Sequence, residues 1–166
     1  MGRFIFAAFL AVLSSSALAI TPFDLPWKNN PAHDARYRTT DHVDGVFVLE
    51  FFANFCGACN SNAANVDELA DSYHDQARVQ VLDMGLDTEE SEIQEWIDTH
   101  QPNHPVLQDA SREVWDQIGA DAIPTVVVMD CKGNIKYQVT SVWSQSIKSR
   151  IHQAVDGLLQ QGCTQE

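Results

Sequence analysis

Basic residues are scarce in this chain. Only 10 of its 166 residues are Lys or Arg, against 23 Asp or Glu, and the formal net charge is −13. Phosphates would be repelled, which argues against a nucleic-acid or anionic-lipid binder. Glycine and proline are few as well, 8 and 6 residues without a repeating period, so collagen-like and low-complexity classes are excluded. No apolar run reaches the roughly eighteen residues of a membrane-spanning helix, which rules out a multi-pass membrane protein. What remains is an ordinary globular composition with length for one domain and a sizeable core.

The first segment reads as an address. Arg3 supplies a minimal positive start, Phe4 to Leu13 is an uninterrupted apolar run, and Ala17-Leu18-Ala19 is a small-x-small site. This is the layout of a secretory signal peptide over 1–19, cut after Ala19. The alternative is an uncleaved N-terminal anchor. Export to the periplasm or beyond would place Cys56, Cys59, Cys131 and Cys163 in an oxidising compartment.

Residues 20–44 are polar, contain proline and lack periodicity, so they are expected to form a linker or an arm laid over the surface. A domain over 45–166 follows. Val46 to Phe52 is a nearly continuous apolar run that suits a central strand covered on both faces. The pattern then predicts a helix over 57–76, a strand over 79–84, and a helix from Thr88 to about His100. A short strand at Val106-Leu107, a helix over 111–118, a hairpin of 124–130 with 135–140, and a final amphipathic helix complete the chain. Alternating strand and helix units imply an α/β fold, with a mixed central sheet flanked by helices.

The chemistry is expected at Cys56-Gly57-Ala58-Cys59. Two cysteines at this spacing can close a small disulfide ring or bind one metal. Here the pair follows an apolar strand and opens a helix. Free backbone N–H groups and the helix dipole favour a thiolate on Cys56, which would attack a substrate disulfide, and Cys59 would resolve the mixed disulfide. Half of a zinc site is the competing reading. It needs two further ligands, whereas Cys131 and Cys163 are isolated in sequence. An inert structural disulfide is the other.

The stretch Glu50-Phe51-Phe52-Ala53-Asn54-Phe55-Cys56-Gly57-Ala58-Cys59, taken with Ala122-Ile123-Pro124-Thr125, resembles the thioredoxin superfamily. The layout from Leu82 to Ile135, including Pro105-Val106-Leu107-Gln108-Asp109 and Met129-Asp130-Cys131-Lys132-Gly133-Asn134-Ile135, is similar to its exported, TlpA-like branch. The resemblance spans about residues 43–160. It implies a thioredoxin-like fold with a helix–strand insertion, and a thiol–disulfide oxidoreductase whose only cofactor is its own Cys56–Cys59 disulfide. It implies a buried acid at Glu50 that exchanges a proton with Cys59, and a cis bond before Pro124. Ile123 and Pro124, with Phe55 beside the thiols, would dock the substrate. Partners would be thiols and disulfides of exported proteins and a membrane electron donor, with no nucleic acid and no metal; the oligomeric state stays open, with a monomer favoured. Phe55 stands where the family usually has Trp, Gly57-Ala58 replaces the usual central pair, and Asn60 stands where a cation is frequent. These departures bear on the direction of electron flow.

The other candidates keep two readings each. Glu50 is a proton relay, or a solvated acid on a more open strand face than expected. Cys131 and Cys163 should reach the same end of the fold and form a structural disulfide in an oxidising compartment. Free thiols or a second redox pair are the alternatives. His100 and His104 flank Pro102, which opposes helical metal-ligand spacing, so both are expected as surface loop residues. The seven acids between Val79 and His100 are expected on a solvated helix face. The main functional expectation is an exported reductase of other proteins' disulfides. An oxidase or isomerase, a copper- or zinc-handling chaperone, and a non-catalytic peptide-holding domain compete with it.

Overall fold

A computed structural model of the chain describes residues 19–163. The candidate export segment therefore lies outside the described residues, apart from Ala19. The elements are β1 Asp24–Pro26, β2 Arg36–Arg38, β3 Val46–Phe52, α1 Gly57–Ser72, β4 Val79–Gly85, α2 Glu90–His100, β5 Val106–Gln108, α3 Trp115–Ile118, β6 Thr125–Met129, β7 Ile135–Thr140 and α4 Gln145–Gln161. Five strands form one sheet in the order β5-β4-β3-β6-β7. β3, β4 and β5 run parallel, whereas β6 and β7 are antiparallel to their neighbours. Every residue of β3 is buried, as expected of a central strand covered on both sides.

Alternation along β3 divides the core. Val46 and Val48 join Val79, Val81, Val126 and Val128 beneath Val66 and Leu69 of α1 and Ile151, Val155 and Leu158 of α4. Further along that face, Phe52 stacks on Trp96 of α2, with ring centroids 4.0 Å apart. Phe47, Leu49 and Phe51 point to the other face and meet Trp115 and Ile118 of α3.

Residues 20–44 are more than a surface arm. They bring Ile20, Phe23, Leu25 and Tyr37 into the core over Phe47, Leu49 and Phe51. β1 and β2 pair as a small hairpin with Leu25 opposite Tyr37. Beyond it Lys28 N donates to Val106 O at 2.8 Å, and Val106 N donates to Asn29 Oδ1 at 2.9 Å. The arm thereby covers the open edge at β5, where unpaired strand groups would otherwise face solvent. At its start it crosses the β6–β7 turn, where a side chain on Gly133 (φ +80°) would run into the Ile20 backbone.

Three further expectations are corrected. The helix over 111–118 shrinks to Trp115–Ile118, because Arg112 sits in the left-handed region (φ +61°) and interrupts it, while Asp109 Oδ2 accepts from Val114 N (3.2 Å) and Trp115 N (2.9 Å). Asp83 and Asp87 are not on a solvated helix face but are buried on and just after β4. His104 is not a surface residue, for its side chain is 4% exposed between Asp67 and Asp83.

Candidate active site

β3 ends at Phe52, and a tight turn leads directly into α1. Cys56 is the N-cap of that helix, and Cys59 lies one turn inside it. This follows from the local sequence: Gly57 and Ala58 allow a close first turn, and a sulfur can accept from an otherwise unpaired N–H. Cys56 Sγ accepts from Cys59 N at 3.1 Å. The two cysteines form a disulfide with a Cα–Cα distance of 5.2 Å. Cys59 is buried against Phe52, Ala63, Ile93, Trp96 and Val106. Phe55, immediately before the pair, is 83% exposed.

The turn carrying Phe55 is held from below. Asp87 Oδ2 accepts from Asn54 N at 2.8 Å, and Asn54 Nδ2 donates to Glu95 Oε2 at 2.8 Å. Thr125 of β6 pairs with Phe51 of β3, which brings the preceding Pro124 to the same end of the sheet as the cystine. The Ile123–Pro124 bond is cis. Ile123 is half-buried and packs against the cluster that contains both cysteines.

Glu50 is 2% exposed in the middle of β3, beneath α1. Its Oε1 accepts from Asn62 Nδ2 at 2.8 Å, whereas Oε2 has no hydrogen-bond partner among the described residues. The Trp143 indole approaches the same carboxyl without completing a hydrogen bond. Burial pushes the Glu50 carboxyl up to about 8, with the neighbouring Asp83 charge adding to the effect. Asn62, one turn after Cys59, ties the site together: its Oδ1 also accepts from Trp143 N at 2.8 Å. The solvated alternative for Glu50 is thereby excluded.

Cys131 and Cys163 form the second disulfide, with Cα atoms 6.1 Å apart. Cys131 follows Met129, which pairs with Phe47 at the start of β3. The second cystine therefore sits at the pole opposite Cys56–Cys59. No cluster of three or more His, Cys, Asp or Glu side chains able to hold a metal occurs among the described residues.

Sequence reasoning picked out Glu50 and the two cysteines but missed Asn62, Asp83, Asp87 and His104. Asp83 breaks an apolar strand as Glu50 does, and that signal was readable. The other three are polar residues in polar segments, and only the packing of α1 and the loops over β3 and β4 distinguishes them.

The pattern of the AhpC/TSA family matches residues 19–138. The thiol-disulfide oxidoreductase ResA of Geobacillus thermodenitrificans is 21% identical over 145 residues, covering 87% of this chain and 82% of that protein. ResA of Halalkalibacterium halodurans is 25% identical over 91 residues, 55% of this chain, and the match spans about half (51%) of that protein's length. Among solved structures, a thiol-disulfide oxidoreductase from Bacteroides fragilis superposes with a TM-score of 0.69 at 16% identity, covering 81% of this chain and 98% of the other. A secreted disulfide oxidoreductase of Mycobacterium tuberculosis gives 0.64 at 17% identity, covering 81% and 95%. With a cystine where its central strand meets α1, the chain belongs to the AhpC/TSA family and shares the thioredoxin-like fold of the thiol–disulfide oxidoreductases it is similar to.

Proposed function

We propose that this chain is exported and reduces disulfides of other exported proteins through the Cys56–Cys59 dithiol. The observation that carries this reading is the cystine at the N-terminus of α1 above a buried carboxyl. The reduced form would act in two steps. The Cys56 thiolate attacks a substrate disulfide, forming a mixed disulfide and releasing one substrate thiolate. Cys59 then gives up its proton and attacks Cys56 Sγ. The Cys56–Cys59 bond forms, the mixed disulfide breaks, and the second substrate thiolate leaves. The substrate gains two electrons and the chain's dithiol loses them.

Glu50, in its ionised form, is the group to which Cys59 passes its proton, and the neutral acid results. Exposed Phe55 and the Ile123-Pro124 loop hold the substrate beside the sulfurs. The chain works as a monomer with no cofactor beyond its own cystine, and a membrane electron donor restores the dithiol. The direction has a physical basis. A strongly oxidising pair needs its reduced form stabilised as a thiolate. Here Asn60 supplies no cation, and a buried acid beneath α1 disfavours added negative charge.

The test is the reduction potential of Cys56–Cys59, measured by equilibration in graded thiol/disulfide buffers, trapping with an alkylating reagent and peptide mass analysis. A value near −270 mV, about that of thioredoxin, supports a reductase. A value near about −120 mV makes the chain a disulfide donor and overturns the proposed direction.

A further inference from the structure

Beneath α1 lies a set of charges that the two-step reaction does not use. Asp83 on β4 is the register partner of Glu50 on β3, so both side chains leave the sheet on the same face. Both are 2% exposed. His104, on the turn before β5, bridges outward from Asp83. Its Nε2 lies 3.3 Å from Asp83 Oδ1, and its Nδ1 lies 3.2 Å from Asp67 Oδ1 of α1. Trp96 of α2 donates its indole N–H to Asp83 Oδ2 at 3.0 Å. From α1 the cluster also meets Asn62, which holds Glu50, while His100 at the end of α2 acts on Asp67. From the segment before α4, the uncharged Trp143 indole faces Glu50.

Two adjacent buried carboxyls resist ionising together, so one of them keeps a proton. Which one is decided by where the compensating cation sits. His104 lies against Asp83 and reaches Glu50 only through a weaker, longer-range attraction. We propose that Asp83 and His104 are positioning residues of the redox site: their ion pair fixes Asp83 as the charged member of the two carboxyls, and so leaves Glu50 as the one whose proton exchanges with Cys59. The proposal rests on the reading of Glu50 as the proton partner of Cys59. The proton affinities run the same way. Burial opposes a charge on His104, yet Asp83 and Asp67 outweigh it and hold the imidazole up to about 9.

The reduced full chain can be reacted with dithionitrobenzoate in a stopped-flow instrument across a pH series. Cys56 expels the first thionitrobenzoate, and Cys59 expels the second as the internal disulfide closes. The rate of the second release reports the Cys59 step. Glu50→Gln should abolish one inflection in its pH profile. Asp83→Asn should move that inflection down by about one pH unit. His104→Gln should move it up, because the Asp83 charge then lies uncompensated beside Glu50. Asp67→Asn, at a half-exposed position, should give a smaller upward shift, and it serves where His104→Gln does not fold. An inflection abolished by Glu50→Gln but unmoved by the Asp83, His104 and Asp67 variants would overturn this proposal and leave the Glu50 reading standing. A downward shift in His104→Gln would assign the proton to Asp83 and overturn it too. A profile unaffected by Glu50→Gln would remove the Glu50 reading itself.

Discussion

At the residue scale, Glu50 makes stability depend on pH in a defined direction. Burial, with Asp83 nearby, raises its carboxyl from 4.5 to about 8 in the fold. Between those values the folded chain holds a proton that the unfolded chain has released, so stability is present at low pH and falls as pH rises. His104 acts with the same sign in a later window. Its value is raised from 6.5 to about 9, so its contribution is full below about 6.5 and is lost toward 9. Urea midpoints of the disulfide form should therefore fall steadily from about pH 5 to pH 9. Glu50→Gln should remove most of the fall below about pH 7, where Glu50 dominates, and leave the later part. A midpoint that rises over this range would contradict the burial argument.

Asn62 gives a second prediction at this scale. Its side chain serves Glu50 Oε1 and Trp143 N at once, and both partners are buried. Asn62→Ala should cost about 1–3 kcal/mol for each group left unpaired. The dithiol sequence should be kept, and equilibrium unfolding measures the loss. The cysteines and Glu50 were legible because their signal is local: a spaced pair after a strand, and an acid inside an apolar run. Asn62 and His104 were not, because their role exists only once α1 and the turn before β5 are packed onto β3 and β4.

At the element scale, the arm shows how a short strand hides. Phe23, Leu25 and Trp27 alternate with Asp24 and Pro26, and Tyr37 stands between two arginines. That is a two-residue period, yet Pro22 and Pro26 around Phe23-Asp24-Leu25 and the brevity of β1 disguised it. The arm forms because it completes other elements: it roofs one face of β3 and pairs with the edge of β5. Leu25→Ala should then cost roughly 2–5 kcal/mol in urea unfolding, as for any buried leucine. The exposed Thr40→Ala in the same region should stay within about 0.5 kcal/mol. Equal, negligible losses would restore the reading of 20–44 as a linker. The long, strongly patterned β3, α1 and α4 were legible for the opposite reason, since each carries enough periodic apolar residues to declare its buried face. α3 was overestimated because the left-handed backbone at Arg112 delays the helix until Trp115, and nothing in the local sequence announces that turn.

At the scale of the whole molecule, the two cystines mark opposite poles of the sheet. β6 runs from Thr125, beside the Cys56–Cys59 end, to Met129, which leads to Cys131. Four steps of about 3.3 Å put the poles at least about 13 Å apart, a separation at which independent sites behave additively. Their tasks should separate accordingly. Cys131–Cys163 closes a loop with a sequence separation of 32 residues, and on the chain-entropy model its removal should cost about 3–4 kcal/mol. The Cys131→Ser, Cys163→Ser double variant should therefore unfold at lower urea while Cys56–Cys59 keeps its reduction potential within about 30 mV, equivalent to about 1.4 kcal/mol. Urea unfolding measures the first outcome, and mass analysis of alkylated peptides across a redox titration, run on the variant and on the unsubstituted chain, measures the second. Unchanged stability would mean that the C-terminus is already fixed by the packing of Ile151, Val155 and Leu158. A large change in potential, or titration of Cys131 and Cys163 together with the first pair, would mean that electrons pass between the poles. The distal cystine would then be a second redox pair and not a tether.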